Sequence, residues 1–372
     1  MRHPLLFLAL KVCAYIITPM DFEFDQRLER ALSLPSRFYF DKAILESEKR
    51  SIFYRTWQLV GRVEQLPEAG SYFTFDVAGE PVVIVRDRTG EIRGFHNVCR
   101  HRAGPVAEGA GCRPSLQCRY HGWTYSLEGK LIGTPDFDGV ECFSKEENSL
   151  VPVRVETWEQ FLFVNLDKSA PPLALFFEDI PDMTRRFEVS RMKLVEKRDY
   201  VIDCNWKVYV DNYLEGYHIP IVHPGLMREL DYANYRTETR RYFSLQDAPI
   251  KSGGQFYAAS DNQNDALYFW VFPNLMVNIN PETLSTNLIL PLSEEKTLTI
   301  FEWFAHESRS KEMIQATIEF SEEIQQEDIK ICQSVQRGLR SISYERGRYS
   351  VKRENGVHHF HSLWLEFMRE GQ

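Results

Sequence analysis

Cys99-Arg100-His101 and Cys118-Arg119-Tyr120-His121, with sixteen residues between them, decide the reading of this chain. Each stretch offers one thiolate and one imidazole, so together they supply four metal donors. Cys₂His₂ is also a structural zinc set. Zinc loops, however, pair like with like, Cys-x₂₋₄-Cys followed by His-x₃₋₅-His. Here the order alternates, and a single residue separates the first pair. Two loops that each give one Cys and one His suit a [2Fe–2S] cluster instead. One iron takes both thiolates and the other both imidazoles, so the loops must close around the cluster as a clamp.

A cluster with that mixed ligation is a Rieske centre, whose two His raise the reduction potential above that of an all-Cys cluster. The candidate ligands are Cys99, His101, Cys118 and His121. Cys112 lies between the pairs with nothing at a matching offset to bond it, and is expected to be a small core residue.

With 372 residues the chain has room for two domains. Its 43% hydrophobic and 26% charged content is that of an ordinary globular protein. A formal charge of −9 argues against nucleic acid as a partner, since phosphate binding relies on clustered Lys and Arg. Seven Cys, two of them claimed by the cluster, do not make a secreted disulfide framework and fit a reducing cytoplasm. Leu5 to Leu10 is apolar behind Arg2 and His3, but Lys11 interrupts it and no small-x-small cleavage site follows. The run is also too short to span a bilayer, so no membrane role is expected. Met20 opens Asp21-Phe22-Glu23-Phe24-Asp25, a plausible start, and residues 1–19 are read as not translated.

From Phe73 to Arg86 the sequence alternates, rich in Val and aromatics and broken at Gly79-Glu80-Pro81. Asp87-Arg88-Thr89-Gly90 reads as a turn, Glu91 to Val98 as a strand, and Trp123 to Leu131 as a hairpin. An all-β domain over 45–168 is expected, with both ligand stretches at one tip. A segment 1–44 precedes it and is expected to pack on a catalytic domain spanning 169–372. In that last domain Tyr200 to Cys204, Leu267 to Ile279 and Lys296 to His306 read as strands. Asn205 to Tyr217 and Lys311 to Arg340 read as helices, giving an α+β fold with antiparallel sheet and segregated helices.

A second metal site is suggested within that domain. His218 and His223 stand five apart across Pro220, which should end the helix and leave His218 in its last turn. Two such His can converge on one ion, and an electron carrier needs somewhere to deliver electrons. A 2-His-1-carboxylate triad with open positions is the site type of non-haem Fe(II) oxygenases. Ile324, Asp328, Ile331 or Cys332, Val335 and Leu339 recur at helical spacing, placing Asp328 on a buried stripe where a cation would partner it. Glu327 competes from one position away.

Taken together, these residues resemble the oxygenase (α) component of the Rieske-type non-haem iron oxygenases, the ring-hydroxylating family, from about residue 45 onward. Asn205-Trp206-Lys207, Glu327-Asp328-Ile329 and Glu354-Asn355-Gly356-Val357-His358-His359-Phe360-His361 also carry the likeness. The resemblance implies cluster ligands Cys99, His101, Cys118 and His121, and mononuclear iron ligands His218, His223 and Asp328. It implies a trimer or a multiple of three, with electrons crossing between subunits through a carboxylate three residues before the first iron His. That residue is Glu215, where Asp is commoner among ring-hydroxylating members. The departure pulls the likeness toward members acting on choline, carnitine and betaines. No nucleotide fingerprint precedes a helix, so NAD(P)H and flavin are expected on a separate reductase or ferredoxin.

The expected reaction is O₂-dependent hydroxylation or N-dealkylation of a quaternary ammonium or N-methyl compound. Aromatics are dense around the site at Tyr209, Tyr213, Tyr217, Tyr268, Phe269, Trp270, Phe272 and Trp303. Their faces can cage such a cation but would equally line a pocket for a flat ring, and most are expected to be core. Gly225-Leu226-Met227 and Tyr232 to Thr239 join Glu215 in this reading. The alternative is ring dioxygenation of an aromatic acid. A pure electron carrier would leave the C-terminal half without a role. His358, His359 and His361 are expected at a polar surface or subunit contact, since both irons are already served.

Overall fold

Ser71–Val77 and Glu80–Arg86 pair antiparallel around Ala78-Gly79, where both turn residues take positive φ as a two-residue hairpin with matching twist requires. The computed structural model describes residues 22–251 and 266–371. The hairpin forms the fifth and sixth strands of a seven-stranded antiparallel sheet. Its strands run Gln58–Arg62, Phe161–Asn165, Pro152–Trp158, Ile92–His96, Glu80–Arg86, Ser71–Val77 and Ala110–Cys112. A three-stranded sheet of Leu116–Gln117, Thr124–Tyr125 and Leu131–Gly133 stands beside it.

The two ligand stretches occupy matching tight turns. Ala103 N–H donates to the Cys99 carbonyl and Gly122 N–H to the Cys118 carbonyl, each at 3.0 Å. Ala103 and Gly122 both lie at positive φ, which closes each turn back on its Cys. Cys112 departs from expectation. It ends the edge strand Ala110–Cys112, is exposed, and has Ala69 O for a neighbour at 3.6 Å, because only Ser71–Val77 flanks that strand.

The second half is a seven-stranded antiparallel sheet. Its strands run Lys193–Ile202, Lys296–Ala305, Thr283–Ser293, Leu275–Ile279, Leu267–Val271, Phe243–Asp247 and Arg236–Thr239. Leu267 to Ile279 is two strands rather than one, turned at Phe272-Pro273-Asn274. The helices Trp206–Tyr213, Lys311–Leu339 and Asn355–Glu370 accompany this sheet. Asn205 caps the first of them by accepting from Lys207 N–H at 3.0 Å.

The segment before the first sheet strand packs into this half. Glu48, fully buried, pairs with the equally buried Lys207 at 2.6 Å and accepts the indole N–H of both Trp206 and Trp364. Phe22 and Trp364 flank Phe38 in the same core. The reading of Met20 as the start concerns residues 1–21, which lie outside the described residues. Among the described residues no helix is long and apolar enough to cross a membrane.

The C-terminal histidines are also placed differently from expectation. His358 and His361, three apart, share the inward face of Asn355–Glu370 and are buried. His361 meets Tyr349 at 2.6 Å and Asp211 at 2.9 Å, so it knits three segments instead of facing another subunit. His358 stacks on Phe24, and His359 is half-buried near Trp270.

Candidate active site

The paired turns bring Cys99 and Cys118 together, both almost wholly buried, with their thiols in hydrogen-bonding reach of one another. Burial pushes the Cys118 thiol up from its ordinary value, opposed by the backbone amides of Tyr120 and His121 that point at it. Tyr125 places its hydroxyl 3.3 Å from Cys99 Sγ and accepts from Arg100 N–H. The rings of His101 and His121 lie 4.6 Å apart, and Trp123 stacks on His101. His101 Nδ1 is enclosed and has no hydrogen-bond partner. A buried nitrogen left so would be unfavourable unless a metal filled its lone pair. Two thiols, two imidazoles and this orphan nitrogen fit a [2Fe–2S] cluster. His121 and Tyr120 reach the surface at this tip.

The second set converges from two elements. The helix begun at Asn205 stops at Tyr213, earlier than the sequence suggests, and Pro220 opens the next helix, Ile219–Val222, instead of ending the first. Proline fits the first turn of a helix, where its missing N–H has no partner to lose. His218 is therefore the cap of that short helix, and His223 sits between it and Pro224–Glu229. Ligand atoms of His218, His223 and Asp328 all lie within 4.8 Å of one another. His223 Nε2 is 3.0 Å and His218 Nε2 3.8 Å from Asp328 Oδ1.

Each imidazole is held from behind. Glu215 Oε1 meets His218 Nδ1 at 2.6 Å, and Glu327 Oε2 meets His223 Nδ1 at 2.6 Å. Both Nε2 atoms are thereby turned toward Asp328. Asn212 donates to Asp328 Oδ1 at 2.6 Å. Burial disfavours a charged His223, but Asp328 and Glu327 outweigh it and raise its pKa. Three converging donors with carboxylates fixing the rings behind them fit one divalent ion of the non-haem iron type.

Glu327, a rival ligand on sequence alone, holds a ligand ring instead. Asn212 carries no signal of its own in the sequence. For Glu327 the adjacent acidic pair was the available signal, since consecutive helical residues point about 100° apart and can serve two different partners. Asp328 is partly buried as expected, while Val335 of the expected stripe is exposed and Gln325, Cys332, Gln336 and Leu339 form the buried one.

The triad lines a cavity of about 170 Å³. Tyr209, Tyr213, Tyr268 and Trp303 line it, joined by Tyr235 and Phe301, which sequence did not single out. Phe269, Trp270 and Phe272 are core instead, and Tyr217 is exposed outside. Burial pushes the phenols of Tyr213 and Tyr268 well up, so they stay neutral.

Known proteins share this arrangement. Residues 56–144 match the Rieske [2Fe-2S] domain family, and residues 189–370 match the ring hydroxylating alpha subunit (catalytic domain). The chain is 37% identical over 361 residues to a chloroplastic choline monooxygenase of Arabidopsis thaliana, covering 92% of this chain and 84% of the relative. It is 30% identical over 359 residues to the carnitine monooxygenase oxygenase subunit of Escherichia coli (strain K12), covering 92% and 95%. A solved quaternary ammonium Rieske monooxygenase, described with inter-subunit electron transfer, superimposes with a TM-score of 0.82 at 29% identity, covering 91% and 96%. Naphthalene 1,2-dioxygenase from Rhodococcus sp. shares the fold at a TM-score of 0.76 and 20% identity, covering 90% and 94%. With both domain families matched and relatives of this identity spanning nearly all of it, the chain belongs to the Rieske non-haem iron oxygenases, as a ring-hydroxylating α-type oxygenase component.

Proposed function

We propose that this oxygenase hydroxylates a quaternary ammonium or N-methyl compound at a carbon beside nitrogen. The product there is a hemiaminal, which splits into amine and aldehyde. The observation that carries the reading is the convergence of His218, His223 and Asp328 in the wall of an aromatic-lined cavity. Neutral Tyr rings and Trp303 offer the π faces that attract an alkylammonium. The choline and carnitine monooxygenases among its relatives support the same substrate class.

In this reading Cys99, His101, Cys118 and His121 hold the [2Fe–2S] cluster, and His218, His223 and Asp328 hold a ferrous ion. That ion, when bound, supplies O₂ activation. The chain's own side chains do the positioning. Glu215 and Glu327 fix the two imidazoles, Asn212 orients Asp328, and the aromatic wall holds the cation while excluding water. Glu215 also bridges toward a cluster His of a neighbouring subunit in a ring of three or a multiple of three. Exposed Tyr217 and Ile221 beside the triad, and exposed Tyr120 and His121 at the cluster tip, give surfaces that suit such a docking. A separate reductase or ferredoxin delivers the electrons. All six described cysteines are free, in keeping with a reducing compartment such as the cytoplasm.

The test is a substrate panel with a surrogate reductase, setting choline, carnitine, glycine betaine and proline betaine against benzoate-like acids. Aldehyde formation coupled to O₂ uptake is expected from at least one of the ammonium compounds. A cis-diol from an aromatic acid, with no aldehyde from the others, would overturn the proposal.

A further inference from the structure

The walls of the cavity contain no Lys and no Arg among the described residues. Residues 252–265, outside the described set, contain none either. Around the triad the charge runs the other way. Asp328, Glu327 and Glu215 all stand within hydrogen-bonding reach of the two imidazoles. Three carboxylates outnumber the two positive charges a ferrous ion would bring, so the site stays electronegative when loaded.

Three arginines that touch the wall from behind have their terminal nitrogens engaged. Arg198 lies over the Trp303 ring but is bound to Glu196 and Glu322. Arg353 spends its terminal nitrogens on the carbonyls of Tyr232 and Tyr235. Arg309 donates its terminal nitrogens to the Thr317 hydroxyl and to Glu282, both at 3.2 Å, and only its buried Nε is without a partner among the described residues. Thr317 lies eleven positions before Asp328 on one helix, about 16 Å at 1.5 Å per residue. A small zwitterion whose methylammonium sits at the triad would not span that length.

Away from the triad and Glu215, the polar groups that face the cavity are neutral. Tyr213 donates to Asn278 Oδ1, and Asn278 Nδ2 reaches Ser285 and Asn287. Amides and hydroxyls can hydrogen-bond an alcohol or ether arm. They cannot cancel the charge of an enclosed carboxylate, which without a cation is strongly disfavoured.

Resting on the quaternary ammonium reading, we infer that the cavity selects a net cation whose second arm is uncharged, and discriminates against zwitterions of the same size that carry a carboxylate. Charge, more than shape, sets the choice. Introducing a cation at a suitable depth therefore widens it. Ser321 lines the cavity seven positions before Asp328, about 10 Å along the helix.

Calorimetric titration of the iron-loaded protein tests this with three probes of nearly equal size: choline, glycine betaine, and the uncharged 3,3-dimethyl-1-butanol. Choline is expected to bind at least tenfold more tightly than either of the others. Glycine betaine binding as tightly as choline would overturn the inference while leaving the ammonium reading standing. Failure of both ammonium compounds to bind would overturn that reading and the inference with it. In Ser321→Lys the affinity for glycine betaine should rise at least fivefold, and in the size control Ser321→Met it should not. An unchanged affinity in folded, iron-loaded Ser321→Lys would refute the electrostatic account.

Discussion

Replacing Asp328 with Ala removes the one carboxylate among the three converging donors and leaves the cluster turns untouched. The expected protein keeps the visible absorption of the cluster, holds two irons per chain instead of three, and has no O₂-dependent turnover. Loss of cluster absorption as well would contradict two independent sites. Glu327→Gln is milder. It keeps all three donors but weakens the grip on His223 Nδ1, and mononuclear iron affinity should fall about 10–100-fold, read by competition with a chelator. At this scale the convergence of His218, His223 and Asp328 was legible, because two His at short spacing and an acid on a partly buried helical stripe favour a shared cation. Their supporting residues were less so. Glu and Asn are common on helices, and only the fold decides that Glu327 faces an imidazole and Asn212 a carboxylate.

Among elements, the last helix is set by a residue too small to notice. A Cβ on Gly356 would lie 2.4 Å from the Leu214 carbonyl oxygen and 3.2 Å from Thr237 Cγ2. The first contact is with backbone, so no rotamer relieves it. Gly356→Ala should lower stability by about 1–3 kcal/mol, visible as a reduced melting temperature. The turn after the Ser71–Arg86 hairpin offers a pH-dependent counterpart. Burial raises the Asp87 carboxyl, but donors from Thr89, Glu91 and Arg93 outweigh it and hold it at about 2. A depressed carboxylate stabilises the fold above its ordinary pKa, and that share is lost as pH falls through the folded value. Asp87→Asn should thus cost about 2 kcal/mol at neutral pH. The deficit in melting temperature should stay level down to about pH 5 and shrink only below about pH 4. Strands and the long helix were readable because alternation and three-to-four spacing persist over many residues. Boundaries around Pro220 were not. Proline is compatible with ending one helix or opening another, and the choice rests on tertiary contacts that pull His218 and His223 together.

For the whole molecule, the fold class followed from separate runs of strands and of mixed elements, while the burial of His358 and His361 did not. Three near-adjacent histidines look like surface in sequence, and only the seating of Asn355–Glu370 against Asp211 and Tyr349 encloses them. The proposed docking of cluster tip against triad belongs to this scale, and it can be tested by complementation. A His101→Ala subunit should lack a working cluster, and a His218→Ala subunit should lack mononuclear iron. Each alone should be inactive. If electrons cross between subunits, a ring that mixes them places an intact cluster beside an intact iron site at about a quarter of its interfaces. Co-expressed at equal levels, the pair should therefore recover about a quarter of wild-type turnover, measured as aldehyde formed per chain. Mixing the two homogeneous proteins after assembly should recover none until subunits exchange. Persistent inactivity of the co-assembled rings, with both metals loaded, would mean that each cluster serves only the iron of its own chain.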